Sequence, residues 1–181
     1  MKYRRVENGL VHVYTGDGKG KTSAALGLAL RAISYRKRVL IVQFIKGPWR
    51  SGELNVASRL ASYLKIKAMG EGFIKILSDR KPFAVHKQAA QTAWRYAANA
   101  LRQKKCDVLI LDEIIVAIKE KVVTEKQVVD MIKSKPAAIE LVLTGRQAST
   151  KIKKLADYVS EIKMHKHPYQ KGILARPAID Y

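Results

Sequence analysis

This sequence predicts an α/β fold with a mostly parallel sheet and helices on both faces. Three observations predict it. Short aliphatic and β-branched runs alternate with stretches of helical periodicity along the chain. Those runs are apolar almost continuously, as in strands covered on both faces. The first of them, Leu10 to Tyr14, opens directly into the glycine-rich segment TGDGKGK. At 181 residues the chain is long enough for one well-buried domain and too short for two, so residues 1–181 are expected to form a single domain.

The elements follow in order. LVHVY reads as a buried strand entering a loop, and from Thr22 the stretch TSAALGLALRAIS, rich in Ala and Leu and free of proline, reads as a helix packed on a sheet. Val39 to Ile45 is a second apolar strand, ending in KGPWRSGE. Strand, helix and strand make a βαβ unit with its two strands parallel. Ser51 to Tyr63 is expected to be helical, and Ile66 to Lys75 is mixed, with Gly70 and Gly72 marking a loop. Phe83 to Gln103 is a longer amphipathic helix: Ala90, Ala93, Trp94, Ala97 and Leu101 form one stripe, and Lys87, Gln91, Arg95 and Arg102 the other side. VLILDE, Val108 to Glu113, is a third strand ending in two carboxylates. Thr124 and Gln127 have capping-box spacing for a helix to Ser134, which Pro136 punctuates. Ile139 to Leu143 is a fourth strand, followed by the turn TGRQ. A helix over Thr150 to Tyr158 and a strand over Val159 to Met164 complete the alternation.

Composition narrows the function classes. Hydrophobic residues at 48% and charged residues at 28% fit a folded soluble protein, and no apolar run approaches the roughly 20 residues of a membrane span. The opening MKYRRVENG has no apolar core behind its basic residues, so a cytoplasmic address and no membrane association are expected. The one cysteine, Cys106, excludes an internal disulfide and most simply fills space beside the sheet. Lys and Arg number 35 against 15 Asp and Glu, a formal +20 that favours polyanionic partners, whether nucleic acid or nucleotide. The positive runs are scattered (Lys2 to Arg5, Arg36 to Arg38, Arg102 to Lys105, Lys151 to Lys154, Lys163 to Lys166), and aromatics make up only 7%. A dedicated nucleic-acid face concentrates charge among stacking aromatics, so a solvated basic surface is the favoured reading.

Chemistry concentrates in Thr15-Gly16-Asp17-Gly18-Lys19-Gly20-Lys21-Thr22. A phosphate-binding loop needs glycines so that successive N–H groups converge on an anion, a helix N-terminus aimed at it, a lysine for the phosphates and a hydroxyl for the metal. All four are present in order, with Thr15 standing where the pattern usually begins with glycine. Asp112 and Glu113 end an apolar strand, where a carboxylate can hold Mg²⁺ directly or through water opposite the Thr22 hydroxyl. Arg146, after the fourth strand, opens on the same edge; it either meets phosphate or ribose or is a solvated turn residue. His12 is expected to be a satisfied near-core residue, His86 a surface residue, and His165 and His167 a solvent-exposed pair. There is no Ser/His/Asp arrangement.

Taken together, GLVHVYTGDGKGKTSAALGLALRA, RVLIVQFIKGPWRSGE, DVLILDEI, VLTGR and ADYVSEIKMHKHPYQKGILARPAIDY resemble the ATP:corrinoid adenosyltransferases of the CobA/CobO/BtuR type, also called cob(I)yrinic acid a,c-diamide adenosyltransferases. The resemblance runs nearly end to end. It implies a RecA-like P-loop fold, usually homodimeric, and transfer of the 5′-deoxyadenosyl group of ATP to the cobalt of a reduced corrinoid with release of triphosphate. It also implies Mg²⁺ or Mn²⁺ and a reductase to supply the reduced corrinoid. By motif match Gly18, Lys19, Gly20, Lys21, Thr22 and Ser23 hold the triphosphate, within a loop that also includes Thr15, Gly16 and Asp17. Glu113 and Thr22 hold the metal, with Asp112 beside them, and Lys21 and Glu113 are the residues most directly engaged in catalysis. Ser23 replaces the family's usual second Thr and Asp17 its frequent Asn. After Gly70-Glu71-Gly72-Phe73, similar proteins commonly continue with Thr-Trp and then Gln-Asp, where this chain has Ile74, Lys75 and Ser78-Asp79. Phe73 is the aromatic left to press on the corrinoid. The loop and the +20 charge also fit an alternative, a RecA-like nucleic-acid-dependent ATPase.

Overall fold

The computed structural model describes residues 8–47, 52–72, 74 and 79–180. Its elements run β1 (Val11–Thr15), α1 (Lys21–Ser34), β2 (Val39–Gln43), α2 (Gly52–Arg59), β3 (Leu64–Ala68), α3 (Phe83–Arg102), β4 (Val108–Asp112), α4 (Ile114–Lys119), α5 (Glu125–Ser134), β5 (Glu140–Thr144), α6 (Thr150–Leu155) and β6 (Tyr158–Glu161). A short 3-10 turn over Pro168–Lys171 follows.

Among the described residues, six strands form one sheet in the order β3-β2-β4-β5-β1-β6, and every pairing is parallel. The central strands are aliphatic throughout because both faces are covered: all five residues of β2 and of β4 are buried. On one face Ala25 and Ala29 of α1 meet Ile41, Ile110 and Val142, with Ala57 of α2 packed alongside. On the other, Ala90, Ala93, Ala97 and Leu101 of α3 join Ile114 of α4, Val128 and Ile132 of α5 and Ile152 of α6 over Leu40, Leu109, Leu111 and Leu141. Alanines on α1 and α3 let those helices lie close on the sheet. Cys106 belongs to the second cluster.

Three sequence expectations need correction. Leu64–Ala68 is a strand, not part of a mixed segment. It lies at the sheet edge, where Leu64 is buried while Lys65 and Lys67 face solvent. The helix expected over Ser51 to Tyr63 ends at Arg59 to make room for it. His86 is not a surface residue: it is 3% exposed, and its Nε2 lies 3.0 Å from Asp79 Oδ1. It stands at helical spacing from Ala90, Ala93 and Ala97 on the inward stripe of α3. The capping box at Thr124 forms as expected, with Thr124 Oγ1 accepting the Gln127 N–H and the Gln127 side chain accepting the Thr124 N–H. His12 is satisfied as expected, bonded to Glu140 at 2.5 Å and stacked on Tyr158.

Candidate active site

Four strands deliver side chains from their C-terminal ends, the edge at which open parallel sheets bind ligands. β1 ends at Thr15, β2 at Gln43, β4 at Asp112 and β5 at Thr144. Thr15 departs from the glycine of the usual motif because it still belongs to the strand. Its hydroxyl accepts the Ala148 N–H at 3.0 Å, and its carbonyl accepts the Ile162 N–H at 2.8 Å. The loop is thereby clamped between the turn after β5 and the chain leaving β6. Gly18 completes the clamp by donating its N–H to the Ile162 carbonyl at 2.7 Å, and a Cβ there would stand 2.7 Å from the Lys163 carbonyl oxygen. Gly16 at φ +97° and Gly20 at φ +120° hold conformations that side chains with a Cβ rarely adopt.

Lys21 opens α1 and is 6% exposed. Its ammonium turns back over the loop and donates to the carbonyls of Gly16 at 2.8 Å and Gly18 at 2.7 Å. Burial lowers its pKa from the ordinary lysine value, against the opposing pull of Glu113. The N–H groups that open a helix have no acceptor within it, so the first turn of α1 adds donors to the same cradle.

Behind the loop lies a buried polar network centred on Asp112, which is fully buried. Its Oδ1 accepts the Thr22 hydroxyl at 2.9 Å and the Thr144 hydroxyl at 2.8 Å, and its Oδ2 accepts Gln43 Nε2 at 3.2 Å. Thr144 Oγ1 in turn accepts the Glu113 N–H at 2.9 Å. Glu113 sits in the left-handed region at φ 60°, a backbone strain that turns the chain from β4 into α4 and separates its side chain from that of Asp112. Burial raises the Glu113 pKa and the Asp112 charge adds to it, while Lys21 and Arg146 act in the opposite sense. Glu113 Oε2 is buried and has no hydrogen-bond partner among the described residues.

A cavity of about 700 Å³ opens over this arrangement. Asp17, Gly18, Lys19, Gly20, Lys21, Thr22, Ser23, Glu113 and Arg146 line it, so the structure brings most of the expected site residues to one place. Asp112 lies beneath the lining rather than on it, and Thr15 and Gly16 are buried at the back of the loop. Arg146 is exposed at the rim. Phe73 lies outside the described residues; its neighbour Gly72 donates its N–H to the Ile45 carbonyl at 3.0 Å, just past the end of β2.

Several lining residues were not anticipated. Lys46 and Glu53 form an ion pair on the wall made by α2. Leu26, Leu30 and Ile33 of α1 with Val56 and Leu60 build an apolar flank. The C-terminal segment closes the far side: Ile173, Leu174, Ile179 and Asp180 line the cavity, and Asp180 pairs with Lys19 of the loop. His167, expected as one of a solvent-exposed pair, is half-buried, accepts the Tyr169 N–H through Nδ1 at 3.2 Å and lines the same cavity.

The family model for ATP:corrinoid adenosyltransferase BtuR/CobO/CobP matches residues 7–181. The chain belongs to this family. It is 34% identical over 175 residues to the corrinoid adenosyltransferase of Escherichia coli strain K12, covering 97% of this chain and 87% of that protein. It is 33% identical over 175 residues to the corrinoid adenosyltransferase CobA of Salmonella typhimurium, with the same coverage. With the Pseudomonas aeruginosa corrinoid adenosyltransferase it shares 34% over 177 residues, 98% of this chain and 86% of that one. Among solved structures, a KaiC-like protein from Pyrococcus horikoshii superposes with a TM-score of 0.56 over 91% of this chain and 83% of its own, at 15% identity. The adenosyltransferase family member thus has a RecA-like P-loop fold.

Proposed function

We propose that this chain transfers the 5′-deoxyadenosyl group of ATP to the cobalt of a reduced corrinoid and releases triphosphate, in the making or salvage of adenosylcobalamin. One observation carries the reading beyond family membership: a phosphate cradle and an apolar flank share a single cavity. Polyphosphate suits the loop, and the Leu26, Leu30, Val56 and Leu60 side suits a bulky macrocycle with apolar edges.

A Co(I) centre is itself a strong nucleophile. Its electron pair attacks the ribose 5′ carbon, the Co–C bond forms, and the C5′–O bond breaks with its electrons passing to the leaving triphosphate. No protein base is required. The protein's task is to stabilise charge on the leaving group, through loop amides, Lys19 and Lys21. Lys21 is already desolvated and directed over the loop, and a triphosphate oxygen would replace its carbonyl acceptors on Gly16 and Gly18. Ser23 adds a hydroxyl at the helix start and Arg146 a charge at the rim. Substrates that fill the cavity would exclude water around the reduced cobalt.

The residues fit a divalent cation. Glu113 Oε2 is a buried acceptor without a donor among the described residues, and the Thr22 hydroxyl spends its hydrogen on Asp112, leaving its lone pairs available. Thr22, Asp112 and Glu113 would hold Mg²⁺ or Mn²⁺, directly or through water, and the ion would supply charge neutralisation at the phosphates. The wider assignment is a single-domain protein acting as a homodimer in the cytoplasm, with a reductase delivering the reduced corrinoid.

The test is incubation with ATP, Mg²⁺ and chemically reduced cobalamin. A light-sensitive alkylcobalt spectrum is expected. Phosphate release stimulated by DNA or RNA, with no corrinoid product, would favour the nucleic-acid-dependent ATPase instead.

A further inference from the structure

Thr144, the last residue of β5, is fully buried and has no place among the sequence-predicted site residues. The paired positions of β4 and β5 end at Leu111 and Leu143. Beyond them the Thr144 side chain takes over the joint between the two strands. Its Oγ1 accepts the Glu113 N–H at 2.9 Å and donates to Asp112 Oδ1 at 2.8 Å. A hydroxyl carries one hydrogen and two lone pairs, so it meets an N–H and a carboxylate at once, each with the right polarity.

The adjacent carboxylates are left in different states. Asp112 receives the hydroxyls of Thr22 and Thr144 on Oδ1 and the Gln43 amide on Oδ2, and it lies beneath the cavity lining. Thr144 holds Glu113 by the backbone N–H. The Glu113 side chain lines the cavity, with Oε2 buried and without a donor among the described residues. The Glu113 backbone is left-handed at φ 60°, a conformation that a residue with a side chain holds only where its surroundings enforce it. The bond to Thr144 is one such constraint. Gly145 then leaves room: at φ +138° it has no side chain, and a Cβ there would stand 3.3 Å from Glu113 Oε2 and 2.9 Å from Ile115 Cβ.

Resting on the adenosyltransferase reading and its divalent ion, we infer that Thr144 is a positioning residue that makes Glu113 the open carboxylate for that ion. Its hydroxyl fixes the left-handed turn that sends Asp112 beneath the loop and Glu113 into the cavity wall. Thr144 is fully buried and absent from the cavity lining, so it acts through the two carboxylates and not on the substrates.

The experiment is calorimetry of two ligands without corrinoid, so that no transfer occurs: the Mn²⁺ complex of ATP, and ATP alone in excess EDTA. The ratio of the two affinities isolates what the ion adds. Thr144→Val keeps the branched shape and loses both bonds. Loss of a partner outside the direct ligands typically weakens metal binding by about 10–100-fold. A loss of that size in affinity for the Mn²⁺ complex is expected, with the affinity in EDTA unchanged, and Thr144→Ser, which keeps the hydroxyl, should restore it. Should Thr144→Val not fold, Thr144→Cys, whose thiol bonds only weakly, carries the same test. Wild-type protein that binds ATP in neither form would sink the functional reading. Wild-type binding with a ratio shared by the valine variant, or a loss that Thr144→Ser does not restore, would overturn the role given to Thr144.

Discussion

The Thr22 hydroxyl donates to Asp112 Oδ1 across 2.9 Å, joining the first turn of α1 to the end of β4 beneath the glycine-rich loop. The contact fixes which way the hydroxyl hydrogen points, and so leaves its oxygen free for a cation. Thr22→Val keeps the shape and removes that oxygen, whereas Asp112 keeps its bonds from Thr144 and Gln43. Divalent-ion affinity should fall at least about 10-fold, and Thr22→Ser should restore it. Equal Mn²⁺ titrations for the wild-type protein and Thr22→Val would remove Thr22 from the metal site.

Lys19 is held by Asp180, and its ammonium also donates to the Ile179 carbonyl at 3.1 Å. A triphosphate bound in the loop would compete with that carboxylate for the same charge. The Lys19 hydrogen bond, with help from Arg176, holds the Asp180 carboxyl well below the usual range, so the pair persists at neutral pH and is lost only on strong acidification. Asp180→Asn should tighten ATP binding by up to about fivefold, the scale of an exposed ion pair. Weaker binding of ATP by this variant, read by calorimetry, would mean that the C-terminal segment supports the site rather than competes for it.

Cys106 is buried in the core between α3 and β4, and burial pushes its thiol up to about 11. Alkylation at pH 8 should therefore be slow in the folded protein and go to one thiol per chain once it is unfolded. The thiol titrates higher in the folded state than its ordinary 9.0. Stability is thus at its full value below about 9 and declines as pH rises toward about 11. Rapid labelling of native protein would show that the α3–β4 packing opens readily.

Thr124→Ala removes one half of the capping box that begins α5. The expected cost is about 1 kcal/mol, or about 2–4 °C in melting temperature for a protein of this size. The cap stands apart from the residues lining the cavity, so ATP affinity should not change. A loss of ATP affinity would reveal coupling between α5 and the site.

Much of this was legible in the residue types. The glycine-rich loop was legible as a turn between strand and helix because its glycines, lysine and hydroxyl stand in a fixed order between an apolar run and a helical one. The four strands whose ends build the site were legible as apolar runs. β3 was not: its register exposes Lys65 and Lys67, and an edge strand has only part of one face to bury. α4 was hidden for the opposite reason. VLILDEIIVAI is apolar on both sides of the carboxylates, and the break between strand and helix is a left-handed turn at Glu113 that no residue type announces. Gln43 carried a signal that went unread, a polar side chain ending a fully buried strand. His86 carried another, a place on the alanine stripe of α3. The C-terminal closure of the cavity depends on Lys19 meeting Asp180, 161 positions away, which no local pattern encodes.

The most direct test of the whole account is phosphorus NMR of the reaction with ATP, Mg²⁺ and Co(I) cobalamin, run beside Lys21→Ala. The account predicts intact triphosphate in step with Co–C bond formation, and neither product from the variant. ADP and inorganic phosphate in place of triphosphate, or full triphosphate yield from Lys21→Ala, would contradict it.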